Sequence, residues 1–185
     1  MRTIIAALVG LMISACAARA DERADTQTPN LAPRSSASPN TCPVTVPPRP
    51  GLVPPDPYPP EPPSSFGAVW YGTPGLWTTL DLNGQVWRGL PVGEDGSVGD
   101  KLLWWSEHYS TAKSEDFSGK ADITVTAVRL DGSAPKVVET PGVQSFNPSL
   151  GNFMLVGVVL PEPGCWEVAA SYHGAELTYV MRVER

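Results

Sequence analysis

The 185-residue sequence predicts an all-β fold. Three observations predict it. From Phe66 to the C-terminus apolar and polar residues alternate, and that period of two sends successive side chains to opposite faces of a strand. Gly, Asn and Asp break the alternation at short intervals, as turns between strands require. No segment carries the 3.6-residue periodicity of an amphipathic helix.

The chain divides into four segments. Residues 1–15 read as a lipoprotein signal peptide. Arg2 supplies a positive start, and Ile4 to Ile13 is apolar or small throughout (IIAALVGLMI). The run is too short to span a bilayer, which takes about 20 residues. Ile13-Ser14-Ala15-Cys16 then fits a lipobox, with cleavage before Cys16 and lipid on its thiol. Cleavage after Ala18-Arg19-Ala20 is the competing reading and gives a secreted or periplasmic protein. Lipidation of Cys16 is the expectation, because several acyl chains anchor a protein stably. The membrane, reached through that anchor, is then a partner. Ala17 rather than an aspartate follows the cysteine, so in a Gram-negative cell the outer membrane is expected.

Residues 16–40 form a spacer that is polar and small from Asp21 onward. Residues 41–65 form a proline-rich arm. Of the 21 prolines, 14 lie between Pro29 and Pro63, and that density blocks sheet ladders and favours extended polyproline II at about 3 Å per residue. A ligand for a proline-recognising module is one reading of the arm; a spacer lying along the domain surface is the expected one.

Residues 66–185 carry the strands. Leu76–Leu82, Asn83-Gly84 and Gln85–Trp87 read as a hairpin. In Ala121–Leu130 the residues Ile123, Val125 and Ala127 share an apolar face. Phe153–Leu160 is apolar on both faces, so one of them needs a cover. Trp166, Val168, Ala170 and Tyr172 line one face, His173-Gly174 turns the chain, and Leu177, Tyr179, Met181 and Val183 line the next strand. About seven to nine short strands without helices predict an Ig-like antiparallel β-sandwich, preceded by the signal peptide and the proline-rich arm.

Export would put Cys42 and Cys165 in an oxidising compartment, where leftover thiols pair; two free thiols are the alternative. Cys165 precedes Trp166, so it points away from the core tryptophan, and its partner should arrive from outside the sandwich. Cys42 on the arm fits. Neither C-x-x-C spacing nor a nearby histidine gives these cysteines a metal.

The C-terminal half carries Leu130-Asp131-Gly132-Ser133-Ala134-Pro135, then Pro161-Glu162-Pro163-Gly164-Cys165-Trp166-Glu167-Val168, then Leu177-Thr178-Tyr179-Val180. Cys42-Pro43-Val44-Thr45, Trp70-Tyr71-Gly72, Leu76-Trp77 and Trp104-Trp105 precede it. Together they resemble an uncharacterised family of small bacterial secreted proteins and lipoproteins with a P-x-x-G-C-W-E-V domain. The resemblance covers about Cys42 to Val183. It implies fold and location, and that the two cysteines belong together; it implies no activity.

Functional motifs are sparse. A net charge of −6 argues against nucleic acid as a partner. Ser110-Thr111-Ala112-Lys113 fits S-x-x-K but lacks the S-D-N and K-T-G elements that such enzymes need. Glu107, His108 and Asp116 could bind a metal only weakly, and a solvated loop is the expectation. His173 sits in a turn. No catalytic residue, resident metal or cofactor is expected. The tryptophans are the one feature that could mean binding. Trp104 and Trp105 are adjacent and face opposite ways on a strand, and Trp77 opposes Leu76 and Leu80. They are the candidate aromatic binding surface; packing beneath the proline arm is the alternative and the favoured reading. The sequence therefore points to a lipid-anchored, non-enzymatic binding or structural accessory module of the cell envelope with an envelope protein as its partner. A carbohydrate- or peptidoglycan-binding module with a glycan ligand is the runner-up.

Overall fold

The computed structural model describes residues 41–109 and 119–185. Among them the chain forms strands and no helix. The strands are β1 (Val69–Thr73), β2 (Leu76–Leu80), β3 (Val86–Trp87), β4 (Val98–Trp104), β5 (Lys120–Ala121) and β6 (Thr124–Arg129). After them come β7 (Val137–Glu139), β8 (Gly142–Asn147), β9 (Gly151–Leu160), β10 (Gly164–Tyr172) and β11 (Ala175–Val183). β1 and β2 pair as a hairpin, five strands run in the order β3-β11-β10-β6-β7, and four run β4-β9-β8-β5.

The alternation that predicts strands also sorts their side chains. Val125 and Ala127 of β6, Trp166 and Val168 of β10, and Tyr179 and Met181 of β11 face one core. Leu102 and Trp104 of β4 and Met154, Val156, Val158 and Leu160 of β9 enter the same core from the four-stranded sheet. Leu76 and Leu80 of β2 join them. The β10–β11 hairpin closes with Tyr172 opposite Ala175, and His173 (φ 48°) and Gly174 (φ 82°) both take positive φ, as a two-residue primed turn demands.

Two expectations are corrected. Ala121–Leu130 is not one strand: β5 pairs with β8, and the chain crosses at Asp122–Ile123 so that β6 pairs with β10. Nor do the residues around Asn83-Gly84 form a hairpin. Gly84 N–H donates to Asp81 O in a turn and takes φ 90°, yet β2 pairs with β1 while β3 pairs in parallel with β11. β3 finds its partner on β11 rather than on β2. One edge of β2 is filled by β1, and at the other Trp77 exchanges backbone hydrogen bonds of 2.9 Å with Trp105. The chain passes instead to the edge of β11, where Arg182 N–H donates to Gln85 O at 3.1 Å and Glu184 N–H to Trp87 O at 2.9 Å.

The reverse face of the four-stranded sheet is the second apolar face of β9. Phe153 and Leu155 lie there with Leu103 and Trp105, beside Leu150, Trp70 and Trp77. Leu52 and Tyr58 of the arm and Phe66 pack onto this layer. The arm is not one straight polyproline rod. It bends at 49–50 and turns at 56–58, and Tyr58 N–H donates to Pro55 O. The turns bring Leu52 and Tyr58 back over the layer.

Candidate functional site

The feature around which the residues expected to matter converge is the arm, its clamp and the aromatic layer beneath it. Cys42 and Cys165 form a disulfide across 123 residues of sequence, with Cα atoms 5.4 Å apart. Cys165 is buried on the face of β10 opposite Trp166, whose ring faces the inter-sheet core. Three residues on, Thr45 continues the attachment: its N–H donates to Val180 O at 2.9 Å, and Val180 N–H donates to Thr45 Oγ1 at 2.8 Å. Gly84 leaves room for that contact, since a Cβ there would stand 2.5 Å from Val44 Cγ1.

Charged groups brace the disulfide. Arg129 Nε donates to Asp131 Oδ1 at 2.9 Å, and its guanidinium also pairs with Glu162. Leu130 N–H donates to Cys165 O at 2.8 Å. Partial burial works to raise the Asp131 carboxyl, but the Cys165 backbone N–H and the hydrogen bond and charge of Arg129 outweigh it and hold it below the usual aspartate value. Gly164 has no space for a side chain, because a Cβ would lie 2.9 Å from Asp131 Oδ1.

Under the arm, rings meet edge to face. Trp70 and Trp105 stand 4.9 Å apart at 79°, and Tyr58 and Trp77 5.3 Å apart at 83°. Such pairs add about 0.5–1.5 kcal/mol to the area they bury. Three polar atoms of the layer are tied to backbone carbonyls. Trp70 Nε1 donates to Pro59 O at 2.9 Å, Trp105 Nε1 to Leu150 O at 3.3 Å, and Tyr58 OH to Asn152 O at 3.3 Å. Trp77 Nε1 is buried without a hydrogen-bond partner among the described residues.

Trp77, Trp104 and Trp105 therefore present no binding platform: each is 0 % exposed. Trp104 faces the inter-sheet core beside Tyr179, while Trp77 and Trp105 face the layer under the arm. Alternation sends the adjacent pair to opposite faces, and both faces are covered. Glu107 and His108 are exposed, with Nε2 3.7 Å from Oε1. Among the described residues no group of three ligating side chains could hold a metal ion. Cys16, Ser110–Lys113 and Asp116 lie outside the described residues.

Clefts open at the surface among the described residues. One, of about 460 Å³, lies between the arm (Arg49–Val53, Pro60–Pro62) and β1, with Trp70 and Leu82 in its wall. The other, of about 270 Å³, lies between β2 and β4; Thr79, Asp81, Gln85, Asp100 and Lys101 line it together with Trp87 and Tyr179. Nothing local in the sequence announces this second cleft, because its lining comes from five separate stretches of chain. Trp70, Phe153 and Tyr58 were also missed as members of the layer; the two-sided apolarity of Phe153–Leu160 was the available signal. No protein-family model, curated protein or solved structure matches the chain.

Proposed function

We propose that the chain is a lipid-anchored protein of the bacterial cell envelope, held through Cys16, and that it acts as a non-enzymatic structural or binding accessory module. Its two sheets around one core support an Ig-like β-sandwich as the scaffold. The observation that carries the reading is the closed aromatic layer. A disulfide, the Thr45–Val180 pair and the docked Leu52 and Tyr58 seal a face that a glycan-binding protein would leave open. Exposed aromatic rings are what sugar recognition would use, and five of the six tryptophans are no more than 1 % exposed.

Two measurements test this. Metabolic labelling with a palmitate analogue should mark the wild type, and Cys16→Ser should lose the label and leave the membrane; an unlabelled wild type overturns the anchor. Titration of the intact protein with soluble peptidoglycan fragments should leave its tryptophan emission unchanged. A saturable change would replace the accessory reading with a glycan-binding one.

A further inference from the structure

The walls of the cleft between the arm and β1 are both tied to one residue. On one side Leu52 N–H donates to Trp70 O at 3.2 Å. On the other, Trp70 Nε1 donates to Pro59 O at 2.9 Å, just before Pro60–Pro62. Gly51 lies against the same Trp70 carbonyl, where a Cβ would stand 3.0 Å from the oxygen. Two runs of the arm are thus fixed to β1, and the space of about 460 Å³ between them is set by the fold. It falls within the range of small-ligand sites, about 300–1,000 Å³.

The lining divides by chemistry. Leu52, Val53, Val69 and Leu82 supply aliphatic surface, and Val53 (67 % exposed) and Leu82 (37 %) carry it out to solvent. Arg49 and Glu61 belong to the lining too, one from each run of the arm, and both are exposed. Neither forms an ion pair among the described residues. Prolines restrict the backbone around them: Pro50 follows Arg49, and Pro60 and Pro62 flank Glu61. An apolar cleft open to solvent, with a stiffly held cation on one run and an anion on the other, is complementary to an amphiphile whose head carries both charges.

We infer that this cleft binds phosphatidylethanolamine, with one acyl chain laid between the arm and β1, the phosphate against Arg49 and the ammonium against Glu61. The open end argues for an acyl chain, because a compact apolar group would leave Val53 and Leu82 in water. A guanidinium suits a phosphate, which it can take through two parallel hydrogen bonds. Glu61 argues for the ethanolamine head, since a purely anionic head would set like charge against it. The inference rests on the envelope reading only for the source of the lipid, the membrane to which Cys16 would tether the chain.

The test is a methyl NMR titration of the exported Cys16→Ser chain, on which no lipid of its own competes, with monomeric dihexanoyl phosphatidylethanolamine. The Val53, Val69 and Leu82 methyls should shift saturably, with Kd below about 1 mM. Dihexanoyl phosphatidylglycerol lacks the ammonium and should bind about fivefold more weakly, the scale of one exposed ion pair. Glu61→Gln should abolish that preference, and Arg49→Gln should weaken both lipids. Both side chains are exposed, so neither change disturbs the core. No shift at these methyls up to several millimolar lipid overturns the inference, and so do equal affinities of the unaltered cleft for the two lipids. Equal shifts at Val128 and Val138, exposed on the five-stranded sheet, overturn it as well. Displacement of the lipid by leucyl-leucine would replace it with a site for peptide termini. A wild type without palmitate label would overturn the anchor and leave this titration standing, because the titrated chain carries no lipid.

Discussion

Trp104 and Trp105 are adjacent in the chain and serve two different interiors. That they face opposite ways follows from strand geometry alone. Which of them enters the inter-sheet core does not, because the phase of the alternation is set by the side on which the second sheet lies. Trp105 sits against Trp70 and Phe153 and donates from Nε1 to Leu150 O. Trp105→Ala should therefore lower stability by about 3–5 kcal/mol, the usual cost of emptying a buried aromatic site. Urea denaturation of the variant measures it, and a loss below about 1 kcal/mol would detach the layer from the fold. Asp131 gives a second prediction at this scale. Its folded-state pKa lies below its unfolded value, so its contribution is complete above the unfolded pKa and fades as pH falls through the folded one. Between neutral and acid pH the wild type should lose more stability than Asp131→Asn does; parallel curves would show that the carboxylate does not brace the disulfide. The sequence marked Asp131-Gly132 only as the end of a strand, because nothing local says that Arg129 and Glu162 converge on it.

At the scale of elements, the arm was legible as chemistry and not as a path. Eleven prolines between Pro43 and Pro63 rule out a ladder, and Cys42 fixes one end, but the route is set by where Leu52 and Tyr58 find apolar sites. The same limit explains the missing hairpin. Asn83-Gly84 specifies a turn, and a turn does not choose the strand that follows; here the Gln85 and Trp87 carbonyls accept from Arg182 and Glu184 at the edge of β11. Gly84 holds φ 90° against Val44, so Gly84→Ala should cost about 1–3 kcal/mol through backbone strain, and more if the arm must shift. Thermal unfolding tests it, and an unchanged midpoint would mean that Val44 and Thr45 are not seated there. Converting both cysteines to serine removes a constraint over 123 residues, for which the chain-entropy argument gives roughly 4–5 kcal/mol as an upper figure. With Thr45 then the first fixed point, acrylamide should quench the tryptophans of that variant more than those of the wild type. Equal quenching would show that docking alone holds the arm down.

For the whole molecule, the question is whether two apolar clusters make one cooperative unit. The connections run through shared backbone. β2 sends Leu76 and Leu80 into the inter-sheet core and Trp77 into the aromatic layer, and β4, with Trp105 just past its end, divides Leu102 and Trp104 from Leu103 and Trp105 in the same way. β9 does so again with Met154 against Phe153. A strand cannot leave one cluster while its alternate residues stay in the other, so neither cluster can melt alone without the strand itself detaching. All six tryptophans report on these clusters, since even Trp87 is only 6 % exposed. Tryptophan emission and far-UV circular dichroism should therefore give coincident urea transitions in the wild type. In the variant with both cysteines replaced by serine, emission should change at lower urea than the β signal. There the arm can lift from Trp70, Trp77 and Trp105 while the strands beneath remain paired. Two separated transitions in the wild type would show that the layer is an independent lid, and coincident ones in the serine variant would show that the arm never lifts before the sheets part.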